Sequence, residues 1–322
     1  MTKSRTAQTV TLLLLVGMVG ALLLERQAIQ DAVKLHGYAA PSAVTQLAAD
    51  DTMTNEARHL LYVNHPEVTA GTAFTSHCPV GDEKTVVLGC YTGDDNGIYI
   101  YQVSDTRLTG VEQVTAAHEM LHAAYRRLSS SERSKVDSWL MDYYQHDLTD
   151  PRVKSTIEAY KRSEPNDVVN EMHSVFGTEV PNLPASLENY YRQYFTNRTT
   201  VTAFTADYQA EFTDRQQQVA SYDTRLKGMK LQIETSESSL NQQQASLASQ
   251  SQQLQAQRSS GQIAAYNAGV SSYNQAVGRY NGLLTSTKLL ISQYNDIVSK
   301  RNSLALEEQQ LAQELSASSL PQ

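Results

Sequence analysis

Thr109-Gly-Val-Glu-Gln-Val-Thr-Ala-Ala-His118-Glu119-Met-Leu-His122-Ala-Ala-Tyr-Arg-Arg-Leu128 is the stretch on which the reading of the whole chain turns. Its apolar residues recur at helical spacing, which predicts a helix to about Leu128. Thr109 and Glu112 read as a capping box at its start. Residues four apart share one face of a helix, so His118 and His122 can converge on one ion. Glu119 is offset by one residue. It can reach a water on that ion without occupying the ion itself. A catalytic zinc lowers the pKa of its water, and a neighbouring carboxylate takes the proton. The pattern therefore predicts Zn2+ as cofactor, His118 and His122 as ligands and Glu119 as catalytic base. The competing reading is two histidines satisfied inside a helical bundle. Val114, Ala116, Ala117, Leu121, Ala123 and Ala124 supply an apolar surround for either.

Working outward, two β-rich runs precede this helix, Val86 to Tyr91 and Gly97 to Val103, with Gly93-Asp-Asp-Asn-Gly97 between them. They predict a hairpin, and Ile98 and Ile100 alternate with Tyr99 and Tyr101 as on a two-faced strand. A strand beside a zinc helix is a place where a peptide substrate can add as a further strand. After the helix, Ser129-Ser-Ser-Glu132 reads as a second capping box, starting a helix to about Gln145. Further helices are expected over 151–162, 165–176 and 184–196, with Pro165 in a first turn. A catalytic zinc needs a third protein ligand and an open position. Glu171 is the leading candidate, with His173, Glu179, Glu164, Asp167 and His146 as alternatives.

Asn170-Glu171, followed by Val175-Phe176-Gly177-Thr178, resembles the third-ligand helix of thermolysin-like peptidases. Together with His118-Glu119-Met-Leu-His122 it is similar to the gluzincins, zinc peptidases whose ligands are two His and one Glu. The resemblance covers roughly residues 85–195 and implies Glu171 as third ligand in a zincin-like peptidase domain. It reaches the wider class only. Ser174 and Val175 stand where the thermolysin-like family carries a supporting Asp, the segment after Glu171 is one residue shorter, and the motifs lie farther apart. With Glu171 on the metal, His173 is free for a catalytic role, donating a hydrogen bond to the oxyanion. Tyr160, Tyr190 and Tyr191 can do the same, or pack between helices.

The N-terminus carries Lys3 and Arg5, then an apolar run from Thr9 to Leu24, then Glu25. This predicts a signal anchor over residues 1–24 with the rest of the chain extracytoplasmic; secretion after signal cleavage is the alternative. Residues 25–50 read as a helical or loose stalk and 51–198 as the zinc metallopeptidase domain. Cys78 and Cys90 are the only cysteines. In an oxidising compartment they are expected to pair, and their spacing suits zinc poorly.

Beyond Thr199 the composition turns to Gln, Ser, Asn and Ala, yet apolar residues keep a strict period. Phe212, Val219, Leu226, Ile233, Leu240, Leu247 and Leu254 are seven apart, and Ile263, Val270, Val277, Leu284, Ile291 and Val298 resume after Arg258-Ser-Ser-Gly-Gln262. This is the seam of an antiparallel coiled-coil hairpin over 199–318. The fold class expected is α+β: a mainly helical zincin-like domain with a small hairpin or sheet, plus this long helical hairpin.

The net charge of -8 argues against nucleic acid as a partner. The expected function is a membrane-tethered extracytoplasmic zinc metallopeptidase acting on a protein or peptide. Its partners are then the membrane, through the anchor, and an envelope protein, through the coiled coil. Two alternatives remain: a peptidoglycan amide hydrolase, and an envelope scaffold in which the coiled coil acts and the zinc site is structural.

Overall fold

The computed structural model describes residues 26–79, 87–93 and 97–315. The expected signal anchor over 1–24 lies outside the described residues. Among the described residues, no helix is long and apolar enough to cross a membrane. Two compact units divide the chain: one contains residues up to 210 together with those from 312 onward, and the other spans 211–311. The whole is mainly helical, with a small three-stranded sheet and a pair of long helices packed together.

The first unit begins with α1 (Arg26–Leu35), α2 (Ser42–Asp50) and α3 (Asn55–Tyr62). Within the stretch expected as a stalk, α1 and α2 are helical, and α2 packs into the main core. Val44, Leu47 and Ala48 recur at helical spacing and are buried in the main core. Asp31 of α1 is buried too. It accepts two hydrogen bonds from the Arg127 guanidinium, at 2.7 and 2.9 Å, and meets His59 Nε2 at 2.8 Å. Thr54 caps α3, its hydroxyl accepting from the Ala57 amide.

Strands β1 (Glu67–Thr69), β2 (Gly89–Tyr91) and β3 (Ile98–Tyr101) form a sheet of order β1-β3-β2, with α4 (Gly71–His77) after β1. The expected hairpin is the antiparallel β2–β3 pair, in the register Gly89↔Ile100, Cys90↔Tyr99 and Tyr91↔Ile98. Strand β1, parallel to β3, was not expected. It has three residues and no alternation to betray it. The two faces of β3 differ as its pattern predicted. Ile98 and Ile100 enter the helical core, while Tyr99 joins Phe74 and Cys78 in a second cluster.

Helix α5 (Val111–Arg126) is the buried axis of the unit. Its capping box does not form. Gly110 is the N-cap at φ 103°, Thr109 Oγ1 donates to the Thr106 carbonyl, and Glu112 accepts from the Val103 amide. The box predicted for α6 (Ser130–Asp142) is present, with both its hydrogen bonds. Helix α7 (Pro151–Ser163) starts on proline. Helix α8 (Val168–Glu179) starts three residues after Pro165, because residues 165–167 form a turn and Asp167 takes the N-cap. Helix α9 (Ala185–Tyr191) follows.

The second unit is built from α10 (Arg198–Ser259) and α11 (Ile263–Glu314). Covered residues on α10 step alternately by three and four from Phe212 through Met229 to Leu240, as a coiled-coil seam requires. Gln216 bonds Glu308 at 2.9 Å, Arg301 bonds Asp223 at 3.0 Å, and Leu254 meets Gly269 near the turn. Later residues on one helix thus face earlier residues on the other, and the pair is antiparallel. The first 13 residues of α10 belong to the other unit, so the hairpin unit starts one residue before Phe212, where the heptads start.

Candidate metal centre and cleft

Helix α5 brings His118 and His122 to one face, their ring centroids 4.7 Å apart. Helix α8 passes close beside it. The closeness has a visible cause: a Cβ on Gly177 would stand 2.5 Å from Leu121 Cδ1 and 2.9 Å from Tyr191 Cε1. Only glycine lets the two helices approach so far. One consequence is the placement of Glu171, in the first turn of α8. Its Oε1 lies 3.4 Å from His122 Nε2 and its Oε2 lies 3.6 Å from His118 Nε2.

These separations fit a shared ion. Two ligands bonded at ~2.0–2.1 Å to one tetrahedral zinc stand roughly 3.3 Å apart. Two imidazoles and one carboxylate are also a catalytic zinc donor set. All three ligand atoms gather within 4.8 Å of one another. Glu171 Oε2 is buried and makes no hydrogen bond of ordinary length, His118 Nε2 standing 3.6 Å away. Burial alone would raise the Glu171 carboxyl. His122, with the donor groups of His118 and Tyr160, overcomes this and holds it below the usual range. The carboxylate is therefore ionised, as a ligand must be.

Glu119 is held differently. Its carboxyl is pushed up to about 7, first by burial and then by the neighbouring charges of Glu171 and Glu164. His122 and a hydrogen bond from the Tyr91 backbone amide act the other way. Strand β2 lies directly against it, because a Cβ on Gly89 would come within 2.9 Å of Glu119 Oε1 and 2.5 Å of Thr115 Cγ2. Sequence reasoning missed both contacts. A lone glycine in a strand pattern hints at close backbone approach, but does not say to what.

A cleft of about 900 Å³ opens over these groups. Residues of β2 and the loops around it, from Val87 to Gly93, form one wall. Tyr160, Glu164, Asp167, Asn170 and Glu171 form another, and Arg126, Arg133 and Tyr208 also line it. Tyr208 comes from the start of α10, a stretch read from sequence as coiled coil.

The other candidates fall elsewhere. Glu179 lines the cleft but pairs with Arg152. Glu164 and Asp167 are exposed carboxylates that approach Glu171 but bring no imidazole. His146 is exposed and bonded to the Asp142 carbonyl. His173 is fully buried among Tyr125, Tyr190, Tyr191 and Tyr194, with Nε2 2.8 Å from the Tyr190 hydroxyl. Burial, reinforced by His122 and His118, lowers it to about 3, so it is neutral. It is not among the residues lining the cleft, where donation to an oxyanion was expected of it. Tyr191 is likewise committed, its hydroxyl donating to the His173 carbonyl. Of the three tyrosines considered, Tyr160 alone lines the cleft. Cys78 and Cys90 are joined in a disulfide, with Cα atoms 5.7 Å apart. No protein-family model, no curated protein and no solved structure matches this chain.

Proposed function

We propose that the chain is a zinc-dependent peptidase of the gluzincin type, with His118, His122 and Glu171 as ligands and Glu119 as general base. The observation that carries this reading is the Glu171 carboxylate, set 3.4 and 3.6 Å from two imidazoles on a different helix. A zinc ion there supplies Lewis acidity, which makes water nucleophilic near neutral pH and polarises a carbonyl.

The chain's own groups account for the rest of the chemistry. Glu119, with its carboxyl raised to about 7, is poised to take a proton from water and return it to the departing amine. Burial that raises its pKa also raises its basicity once ionised. The Tyr91 amide fixes the direction of the carboxylate. Tyr160 acts on Glu171 through its hydroxyl, and outer partners of this kind orient a ligand. In the described sheet β2 pairs only with β3, and its residues line the cleft. An extended peptide can bind there by strand addition.

The apolar run Thr9–Leu24 supports anchoring in a membrane, and the Cys78–Cys90 disulfide supports an oxidising, extracytoplasmic setting. The antiparallel helix pair gives the enzyme an arm for an envelope partner.

Zinc analysis and hydrolysis assays test the proposal together, with casein, a peptide library and peptidoglycan stem peptides as separate substrates. Glu119→Gln should keep zinc and lose hydrolysis, whereas Glu171→Ala should lose zinc. Undiminished turnover in Glu119→Gln ends the enzyme reading. Stoichiometric zinc in Glu171→Ala ends the ligand assignment.

A further inference from the structure

We propose that the Cys78–Cys90 disulfide is a positioning element for Glu119, and that it makes the hydrolytic activity redox-dependent. This rests on the peptidase reading above.

The inference starts from the shortness of β2. It has three residues, is paired with β3 on one side, and borders the cleft on the other. So short a ladder holds its place weakly, and other tethers decide where it sits. Both neighbours of its middle residue bear on the base. Gly89 abuts the Glu119 side chain, and the Tyr91 amide donates to the carboxylate. The middle residue, Cys90, is the one tied down. Its disulfide runs to Cys78, at the C-terminal end of α4, which is 1 % exposed and packed with Phe74 and Tyr99. His77 stacks on Tyr99 at 3.9 Å and stiffens the same post. The bridge thus pins β2 between the two residues that place the base.

Access favours exchange. Both cysteines line the cleft, but Cys90 is half-buried where Cys78 is buried, so Cys90 is the more open of the two to an entering thiolate. The reductant is a dithiol, either a small molecule or a dithiol protein. One of its thiolates attacks Cys90 Sγ, forming a mixed disulfide and expelling the Cys78 thiolate, which takes a proton. The second thiol of the reductant attacks its own sulfur in the mixed disulfide and releases Cys90, which is protonated in turn. Two electrons and two protons reach the protein, and the dithiol leaves as a disulfide. With the bridge open, β2 keeps its ladder to β3 and its packing on α5 but loses its covalent tie to α4, and the Tyr91 amide is no longer held in register with Glu119. Shifts of about 1 Å beside reacting groups cost on the order of 100-fold in rate. The zinc ligands lie on α5 and α8 and are not touched.

The experiment uses the full chain in three forms: oxidised wild type, wild type reduced with dithiothreitol and freed of it, and the Cys78→Ser/Cys90→Ser double variant. Each is assayed for kcat, KM, bound zinc, helix content and free thiols by alkylation mass. The expected result is a kcat at least about tenfold lower in the last two forms, with zinc and helix content kept. Reoxidation with oxidised glutathione restores the wild type and leaves the variant unchanged. Wild-type kcat in reduced protein with two alkylated thiols overturns the proposal. Loss of zinc and helix content on reduction also overturns it, since the bridge would then be a plain structural staple. If the double variant does not fold, reversible reduction of the wild type decides. Oxidised wild type that binds zinc yet hydrolyses nothing removes the peptidase reading itself, a failure distinct from an active enzyme indifferent to reduction.

Discussion

Replacing Gly89 with alanine puts a methyl group where three atoms already stand. Thr115 Cγ2 would be 2.5 Å away, Glu119 Oε1 2.9 Å and Glu119 Cγ 3.0 Å. Ordinary contact begins at 3.4 Å, so relief needs about 0.9 Å at Thr115 and about 0.5 Å at Glu119 Oε1. Thr115 is buried, and its hydroxyl donates to the Val111 carbonyl at 2.8 Å, so it yields least. Either Glu119 swings aside or β2 moves outward, and both separate the carboxylate from the Tyr91 amide. Misplacement of about 1 Å costs on the order of 100-fold, so kcat should fall roughly 10- to 100-fold. Overpacking of this size costs about 1–3 kcal/mol. At about 2–4 °C per kcal/mol for a unit of this size, Tm drops by about 2–12 °C. Metal analysis should still find zinc, because His118, His122 and Glu171 are untouched. The assay is kcat and KM on a quenched fluorescent peptide, with zinc content and a thermal melt on the same preparation. Gly177→Ala is the control, equally crowded at 2.5 Å from Leu121 Cδ1 but acting on the approach of α8. It should lower zinc affinity as well as Tm. A folded, zinc-loaded Gly89→Ala protein with wild-type kcat would refute the reasoning, since Glu119 would then not be the group that β2 positions.

Zinc at 100 times its Kd should stabilise the wild type by about 2.7 kcal/mol, seen as a Tm rise in a metal titration. Glu171→Ala should abolish most of that rise and Glu119→Gln should keep it; equal rises in wild type and Glu171→Ala would contradict the ligand set. Two buried aspartates should give opposite pH dependences. Asp51 is fully buried without a partner, and burial pushes its carboxyl well above the usual range, so its cost to stability grows as pH rises above that range. Asp51→Asn should therefore raise Tm at neutral pH, with the gain vanishing toward about pH 4. Asp31 behaves in reverse. Burial opposes its ionisation, but Arg127, His59 and Gln27 hold its carboxyl below the usual range. Its contribution is present above the usual aspartate pKa and is lost as pH falls through the lowered one, so Asp31→Asn should cost stability at pH 7 and converge on wild type in acid. Melts of both variants across pH 3–8 check the signs. Arg198 donates to the carbonyls of Phe176, Gly177, Val180 and Pro181 at the end of α8 and pairs with Glu188. Arg198→Ala should cost about 3–5 kcal/mol by denaturant unfolding, and a loss below 1 kcal/mol would show that α8 needs no such clamp.

Residues within one helix, or in a strictly periodic pattern, are those whose relations sequence determined. His118, Glu119 and His122 are placed by a fixed helical geometry, and the heptads from Phe212 define a seam whatever the surroundings. Ser129 and Glu132 interact across three residues, so their box was legible. Thr109 and Glu112 carry the same signature, but Val103, brought from β3's end, claims the Glu112 carboxylate. That competition is tertiary and leaves no local trace. Likewise His173 stood in a suggestive position beside Glu171, yet successive helical residues point about 100° apart, and α9 supplies the tyrosine that takes its ring. The gathering of Glu171, rather than Glu164, Asp167 or Glu179, beside the two histidines, the burial that raises Glu119, and the entry of Gly89 and Tyr208 into the cleft all depend on which helices touch. Sequence determined which side chains share a helix face and a period. Tertiary structure decided which faces meet, because approach distance and burial are set by the packing of segments far apart in the chain.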